Sequence, residues 1–250
     1  MSGARWMCVV SVLWVAGCAG AGRTAGGVER GVQAAGYPSH WWASVAREEA
    51  KWWEILPQEA GEGEVIVSKR NELGLLSNFA PTPFVFRGRR YPSLEGFWQM
   101  MKYPEGPADP RATFPGVNWK HTREEVSQMV AAEAKAAGDL GSENMRAMGI
   151  DWVTFDGRRM KYRGAGKGEH YELIVAATRE KVRQNPRVRE VLLSTGDLVL
   201  RPDHRQVADV PPAWRYCEIL MEIREALRGG ALVDVGGVDG KPAEAGSKEK

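Results

Sequence analysis

Along Leu94–Met101 the apolar residues Leu94, Phe97, Trp98 and Met101 fall at i, i+3, i+4 and i+7, a spacing that predicts one buried helical face. Ser93 stands where an N-cap belongs, its hydroxyl able to accept from an orphan first-turn N–H. Pro104 disfavours helix at the residue before it, so the element should run from Ser93 to about Tyr103. Beside the apolar face Glu95, Gln99 and Lys102 fall at i, i+4 and i+7, a second stripe that is polar. A carboxylate, an amide and an ammonium next to Trp98 could wall a polar pocket. Spacing alone favours a plainer reading, in which Glu95 complements the helix dipole while Gln99 and Lys102 are solvated.

The pattern elsewhere is mixed. Glu64–Ser68 is β-branched and short and reads as a strand. Phe84–Phe86 followed by Arg87-Gly88 reads as a hairpin-like element. Pro104–Pro115 has no period and reads as a loop. Thr122–Ala137 predicts a helix opened by a Thr122/Glu125 capping box and stopped by Gly138, with a further helical piece over Ser142–Met148. Asp151–Tyr162 mixes apolar with basic residues. Gly164–Gly168 (GAGKG) lacks both Walker spacing and a preceding apolar strand, and reads as a flexible loop. Helices over Glu169–Gln184, Val188–Leu193 and Ala213–Arg228, with a short strand at Leu198–Leu200, complete the main domain. Helices outnumber short strands, so the expected class is α+β, a mainly helical single domain with a few short strands.

The domain is expected over residues 64–228. Ahead of it, residues 1–18 match a secretory signal segment: Arg5, an apolar run from Trp6 to Val15, then small residues. The exit Val15-Ala16-Gly17-Cys18 resembles a bacterial lipobox, which implies cleavage before Cys18 and lipid attachment there. Residues 19–63 read as a Gly/Ala-rich linker and then one Trp-rich amphipathic helix over Trp41–Leu56, packing on the domain or lying at a membrane interface. Residues 229–250 are Gly-rich and charged and are expected to be disordered. The location that follows is a membrane-anchored lipoprotein if Cys18 is lipidated, and cytoplasmic otherwise.

Composition narrows the field modestly. The 250 residues are 43% hydrophobic and 26% charged, which suits a folded core. A net charge of +2 gives no case for a nucleic-acid backbone as partner. Of 3 cysteines only Cys217 lies in the main domain, so no disulfide is expected there, and the 4 histidines are scattered without metal-ligand spacing.

Four segments together resemble one family. They are Leu76–Ala80 (LSNFA) with Pro83-Phe84, Tyr91–Lys102 (YPSLEGFWQMMK), Trp152 ahead of a helix, and Leu192–Leu200 (LLSTGDLVL) with Trp214 and Leu220–Leu227. In that order, over about two thirds of the chain, they resemble the NADAR superfamily of YbiA-like N-glycosidases. The resemblance implies a small helical fold around a pocket for a phosphorylated ribose, no cofactor, and hydrolysis of a C–N bond between ribose and a base or amine. It implies as partner a ribose-phosphate or ADP-ribose conjugate, such as a phosphoribosylamino-pyrimidine of riboflavin synthesis or ADP-ribosylated guanine. Two departures stand out. The family's His after the glutamate is Gly96, and its Tyr-Trp-Gly is Ala213-Trp214-Arg215 behind a long loop.

N-glycoside cleavage passes through an oxocarbenium-like sugar, which a carboxylate stabilises while an acid protonates the leaving nitrogen. Glu95 is the expected first carboxylate, with Asp203 or Asp209 as the second; Asp197 reads as a turn residue. Asn78 and Phe79 in the first motif, and Gln99, are candidates for holding ribose. Lys102 with Arg87, Arg89 or Arg90 would bind phosphate. Trp98 or Trp152 would stack on the base, and His204 is a further candidate acid. The alternative is a non-catalytic module that binds ADP-ribose or a ribonucleotide on a lipid-anchored protein.

Overall fold

A computed structural model describes residues 36–206 and 209–230. The signal segment, Cys18 and the C-terminal tail from residue 231 lie outside them. Among the described residues there are six α-helices and six short strands, and the class is α+β. The strands pair in three separate twos. β1 (Glu64–Ile66) runs parallel to β6 (Val199–Arg201), with Glu64 opposite Val199. β2 (Phe84–Phe86) and β3 (Arg89–Tyr91) form a hairpin, as do β4 (Trp152–Phe155) and β5 (Arg158–Lys161). Both hairpin turns have left-handed residues at their two centres: Arg87 and Gly88 at φ 48° and 77°, Asp156 and Gly157 at 50° and 74°. That is the backbone a two-residue turn needs to match strand twist.

Every residue of α1 (Leu94–Met100) is buried, so this helix is the axis of the domain. Its Phe97 ring meets Tyr91, Phe155, Phe86 and Phe84 at centroid distances of 4.9, 5.4, 5.6 and 6.0 Å, which ties both hairpins to one side of the helix. The other side faces α3 (Ala131–Ala147). α4 (Glu169–Gln184), α5 (Pro186–Ser194) and α6 (Tyr216–Arg228) close the core.

Three expectations are corrected. Trp41–Leu56 is not one helix but carries two 3₁₀ turns, Ser39–Trp42 and Arg47–Glu49. The indole N–H of Trp41 donates to Glu72 at 2.7 Å and that of Trp42 to the Glu64 carbonyl at 2.9 Å, which fixes both rings against the domain. Trp52 at 89% exposure and Trp53 at 41% have no such anchorage, so no single apolar face exists to hold a helix together. Second, the capping box at Thr122 and Glu125 is present, but α2 ends at Ser127. The chain then bends toward the start of α1, where Ser93 Oγ donates to the Met129 carbonyl at 2.9 Å, and Ala131 takes a left-handed φ of 49°. Third, Gly138 does not stop a helix; α3 runs through it and through Gly141 to Ala147. These glycines give clearance instead. A Cβ on Gly138 would lie 1.9 Å from Gln99 Oε1, and one on Gly141 3.0 Å from Lys102 Cβ.

Candidate functional site

The polar stripe of α1 is enclosed between α1 and the small-residue face of α3. Glu95, Gln99 and Lys102 are 6%, 6% and 3% exposed. Gln99 Nε2 donates to Glu95 Oε1 at 2.7 Å. Lys102 Nζ donates to the Gly138 carbonyl at 2.9 Å and to Ser142 Oγ at 2.8 Å. The first turn of α1 is set by two neighbours: Ser93 Oγ accepts from Gly96 N at 3.0 Å, and Glu95 N donates to the Asn78 carbonyl at 3.0 Å. The loop bearing Asn78 and Phe79 is held from behind by Lys181 of α4, whose buried Nζ donates to the Ser77 carbonyl at 2.7 Å.

Aromatic rings close the stripe. Lys102 Nζ lies 5.1 Å from the centre of the Tyr162 ring. Trp98 meets His170 edge-on at 5.5 Å, and Tyr162 packs on His170 at 5.3 Å and on Trp214 at 5.1 Å. Tyr162 and His170 were not singled out from the sequence, although both carried a signal. Tyr162 continues the inward alternation of Met160 past exposed Arg159 and Lys161, and His170 shares the apolar face of Leu173, Ile174 and Ala177.

Burial dominates the electrostatics here. It pushes the Glu95 carboxyl above the usual range, against the opposing pull of the Gln99 hydrogen bond and Lys102. It lowers the Lys102 ammonium to about 8, although Glu95 favours its charge. It lowers His170 to about 4, so that ring is neutral near pH 7. The hydrogen bond that Glu95 accepts from Gln99 falls on Oε1.

The other candidate residues fall into separate groups. Asp203 is 2% exposed, in contact with Lys69 and 3.1 Å from His204 Nδ1. Its carboxyl is desolvated, but the hydrogen bonds from His204 and Lys69 outweigh this and hold it below its ordinary value. Lys69, which sequence reading passed over, also lies 5.2 Å from the Phe79 ring, so the Asn78–Phe79 loop touches α1 on one side and the Lys69–Asp203 group on the other. His204 stacks on Tyr216 at 6.3 Å. Asp209 is exposed at a turn next to residues outside the description. Arg87 sits at a hairpin turn 2.7 Å from Asp156, Arg89 pairs with Glu124 at 2.7 Å, and Arg90 is exposed. Trp152 has Arg159 over its ring at 4.2 Å and Arg111 at 4.8 Å. The structure therefore brings Glu95, Trp98, Gln99 and Lys102 together, sets Arg87 and Trp152 among other partners, and leaves Asp209 at an exposed turn. Among the described residues no group of three or more His, Cys, Asp or Glu side chains is placed to hold a metal, and no helix is long and apolar enough to cross a membrane.

No family model matches the chain, and no curated protein matches it. Among solved structures the chain is similar to the NMR structure of the E. coli protein YbiA, which stands in the family that the four motifs resemble. The match covers 73% of this chain and 92% of that one, at 20% identity and a TM-score of 0.43.

Proposed function

We propose that the chain is an N-glycosidase that hydrolyses the C–N bond between ribose and a base or amine in a phosphoribosyl or ADP-ribosyl conjugate. The observation that carries this reading is Glu95: a buried carboxyl on α1, with one oxygen fixed by Gln99 at 2.7 Å and Lys102 on the same polar stripe. In a water-poor site a carboxylate attracts developing positive charge far more strongly than in bulk water. The leaving nitrogen departs from C1 with the bonding pair and takes a proton from an acid. Glu95 stabilises the oxocarbenium-like sugar and then accepts the proton of the water that adds to C1. A carboxyl raised above its ordinary range is the stronger base for that step. Lys102 and the Gln99 hydrogen bond favour the charged form of Glu95, against burial, which favours the neutral one. Asp203, ionised and bonded to His204, fits the role of orienting that ring as the proton donor.

Replacing Glu95 by Gln keeps size and the contact with Gln99 while removing the charge. Turnover of ADP-ribosylated guanine or a phosphoribosylamino-pyrimidine, followed as released base by chromatography, should fall by about 10²-fold or more with folding intact. Retained turnover in the purified variant would sink the assignment. One observation favours the binding-module alternative: among the described contacts Asp203 and Glu95 have no partner in common. A protein that binds ADP-ribose but releases no base from either substrate would be that module.

A further inference from the structure

Lys51–Glu54 forms a tight turn, closed by the Glu54 N–H donating to the Lys51 carbonyl at 3.0 Å. Its two central residues are Trp52 and Trp53, and both are exposed. The turn is held from several sides. Arg47 donates to the Glu54 carbonyl at 2.9 Å and to the Trp52 carbonyl at 3.4 Å. The Glu54 carboxylate accepts from the Lys51 N–H at 3.2 Å and from Arg70 at 2.7 and 2.8 Å. Arg70 also donates to the Glu49 carbonyl at 3.0 Å, and the Ile55 N–H donates to the Asp203 carbonyl at 2.8 Å. None of these bonds uses an indole. Trp41, Trp42 and Trp119 each give the indole N–H to an acceptor, whereas those of Trp52 and Trp53 meet none among the described residues. Single exposed apolar residues need no explanation, but a fixed pair of adjacent tryptophans marks a contact surface.

Size and position identify the occupant. Two tryptophans offer about 300–500 Å², well short of the roughly 800 Å² that each partner buries in a specific protein–protein interface. Tryptophan is instead the residue that settles at a membrane–water boundary, with a ring for the acyl region and an N–H for the headgroups. The charges beside the pair are mixed, since Glu48, Glu49 and Lys51 are all exposed, so nothing here selects an anionic lipid. The chain ahead of the domain brings a bilayer within reach. Tyr37, whose hydroxyl accepts from the Asp197 N–H at 3.0 Å, stands 19 positions after Cys18. Lipid on Cys18 would therefore keep Tyr37 within about 60–70 Å of the bilayer. At that range the tether supplies the local concentration that a small contact lacks. We propose that the Trp52–Trp53 turn is a docking tip that settles both indoles among the headgroups of a zwitterionic lipid bilayer, as a second contact beside the lipid on Cys18. The tether rests on the lipoprotein reading of residues 1–18; the tip rests on the geometry of the turn.

The test labels the full chain with 5-fluorotryptophan and records ¹⁹F spectra in phosphatidylcholine bicelles, with and without a lipid carrying a nitroxide near its headgroup. Trp52→Phe and Trp53→Phe identify the two resonances, and both positions are exposed, so the variants fold. The nitroxide should broaden the Trp52 and Trp53 resonances severalfold more than those of Trp41 and Trp42, which are fixed on the domain. Trp52→Ser should cut the broadening of the remaining Trp53 resonance by about twofold or more, because half of the inserted surface is gone. Equal broadening of all four resonances, or none, would overturn the tip, and broadening that requires added anionic lipid would overturn the zwitterionic surface. Concentration-dependent self-association of the wild type, abolished in Trp52→Ser, would give the surface to a second copy instead. Mass analysis of the same preparation shows whether Cys18 carries lipid, so the two readings fail separately. Lipid on Cys18 without selective broadening keeps the tether and refutes the tip; selective broadening without lipid does the reverse.

Discussion

Replacing Gly96 by Ala adds one methyl group at the most crowded point of α1. The new Cβ would lie 2.4 Å from the Met129 carbonyl oxygen, 3.0 Å from that of Val126 and 3.1 Å from that of Ser127. All three are backbone atoms, so no side chain can rotate away. Relief to an ordinary carbon–oxygen contact requires the two segments to separate by roughly 0.8 Å, in an interior packed too tightly to absorb it. Overpacking of this kind costs about 1–3 kcal/mol, and rigid backbone neighbours place this case at the upper end. Alanine returns about 1 kcal/mol of helix propensity. The net expectation is a loss of about 2 kcal/mol, or roughly 4–8 °C in Tm for a domain of this size. Urea denaturation should show a lower midpoint at unchanged slope. Gly166→Ala, whose Cβ meets nothing within 4 Å, is the control and should be neutral or slightly stabilising. A Gly96→Ala midpoint at or above the wild-type value, with the slope unchanged, would refute the reasoning. The same geometry explains why position 96 carries no side chain: the backbone of residues 126–129 occupies the space that one would need.

Three further outcomes are expected. Burial lowers Lys181 to about 7 in the folded state, against 10.5 for the free side chain, so between those pH values the unfolded chain holds more protons and stability should rise with pH. Urea midpoints at pH 7, 8 and 9 should show that slope, and Lys181→Met should flatten it, leaving the smaller contribution of Lys102; an unaltered slope contradicts the assignment. Arg111 is 1% exposed and donates to Asp109 at 2.7 Å and to the carbonyls of Met101 and Lys102 at 3.1 Å. Arg111→Ala leaves the Asp109 charge unpaired and frees the end of α1, a loss of about 3–5 kcal/mol by thermal or urea melting. If Cys18 is a lipid acceptor, Cys18→Ala should move the expressed protein from the detergent phase to the aqueous phase, and the mass of the mature wild-type N-terminus should carry the lipid.

Local chemistry made α1 readable. Ser93 caps it, Leu94, Phe97, Trp98 and Met101 are buried, and the Glu95–Gln99–Lys102 stripe is one feature in space as in sequence. Arg87-Gly88 announced one hairpin, and Asp156-Gly157 carried the same signal for the second, hidden by the basic residues around it. What the sequence could not show was which of two uses a residue serves. Glycine after a helical run can end the helix or admit a neighbour, and Gly138 does the second because Gln99, far away in the chain, needs the space. Paired tryptophans can line a helix face or anchor separately, and Trp41 and Trp42 do the latter through acceptors at Glu72 and Glu64. Tyr162 ended a stretch that mixes apolar with basic residues and His170 was one of four scattered histidines, so neither stood out. Their relation to Lys102 and Trp98 exists only once α4 and β5 are docked.

The parallel pairing of β1 with β6 sets a timetable for synthesis. Glu64 and Arg201, joined across that pair at 2.7 Å, stand 137 positions apart. At ribosomal speeds of about 5–20 residues per second, β1 emerges roughly 7–27 s before its partner has been made. Trp42, which donates to the Glu64 carbonyl, waits with it, as does Lys69 for Asp203. The hairpins and α1 can assemble early around Phe97, but the domain closes only once β6 has been made. Until then an unpaired strand edge and the Trp41–Trp42 pair are open to chaperones, proteases and other nascent chains.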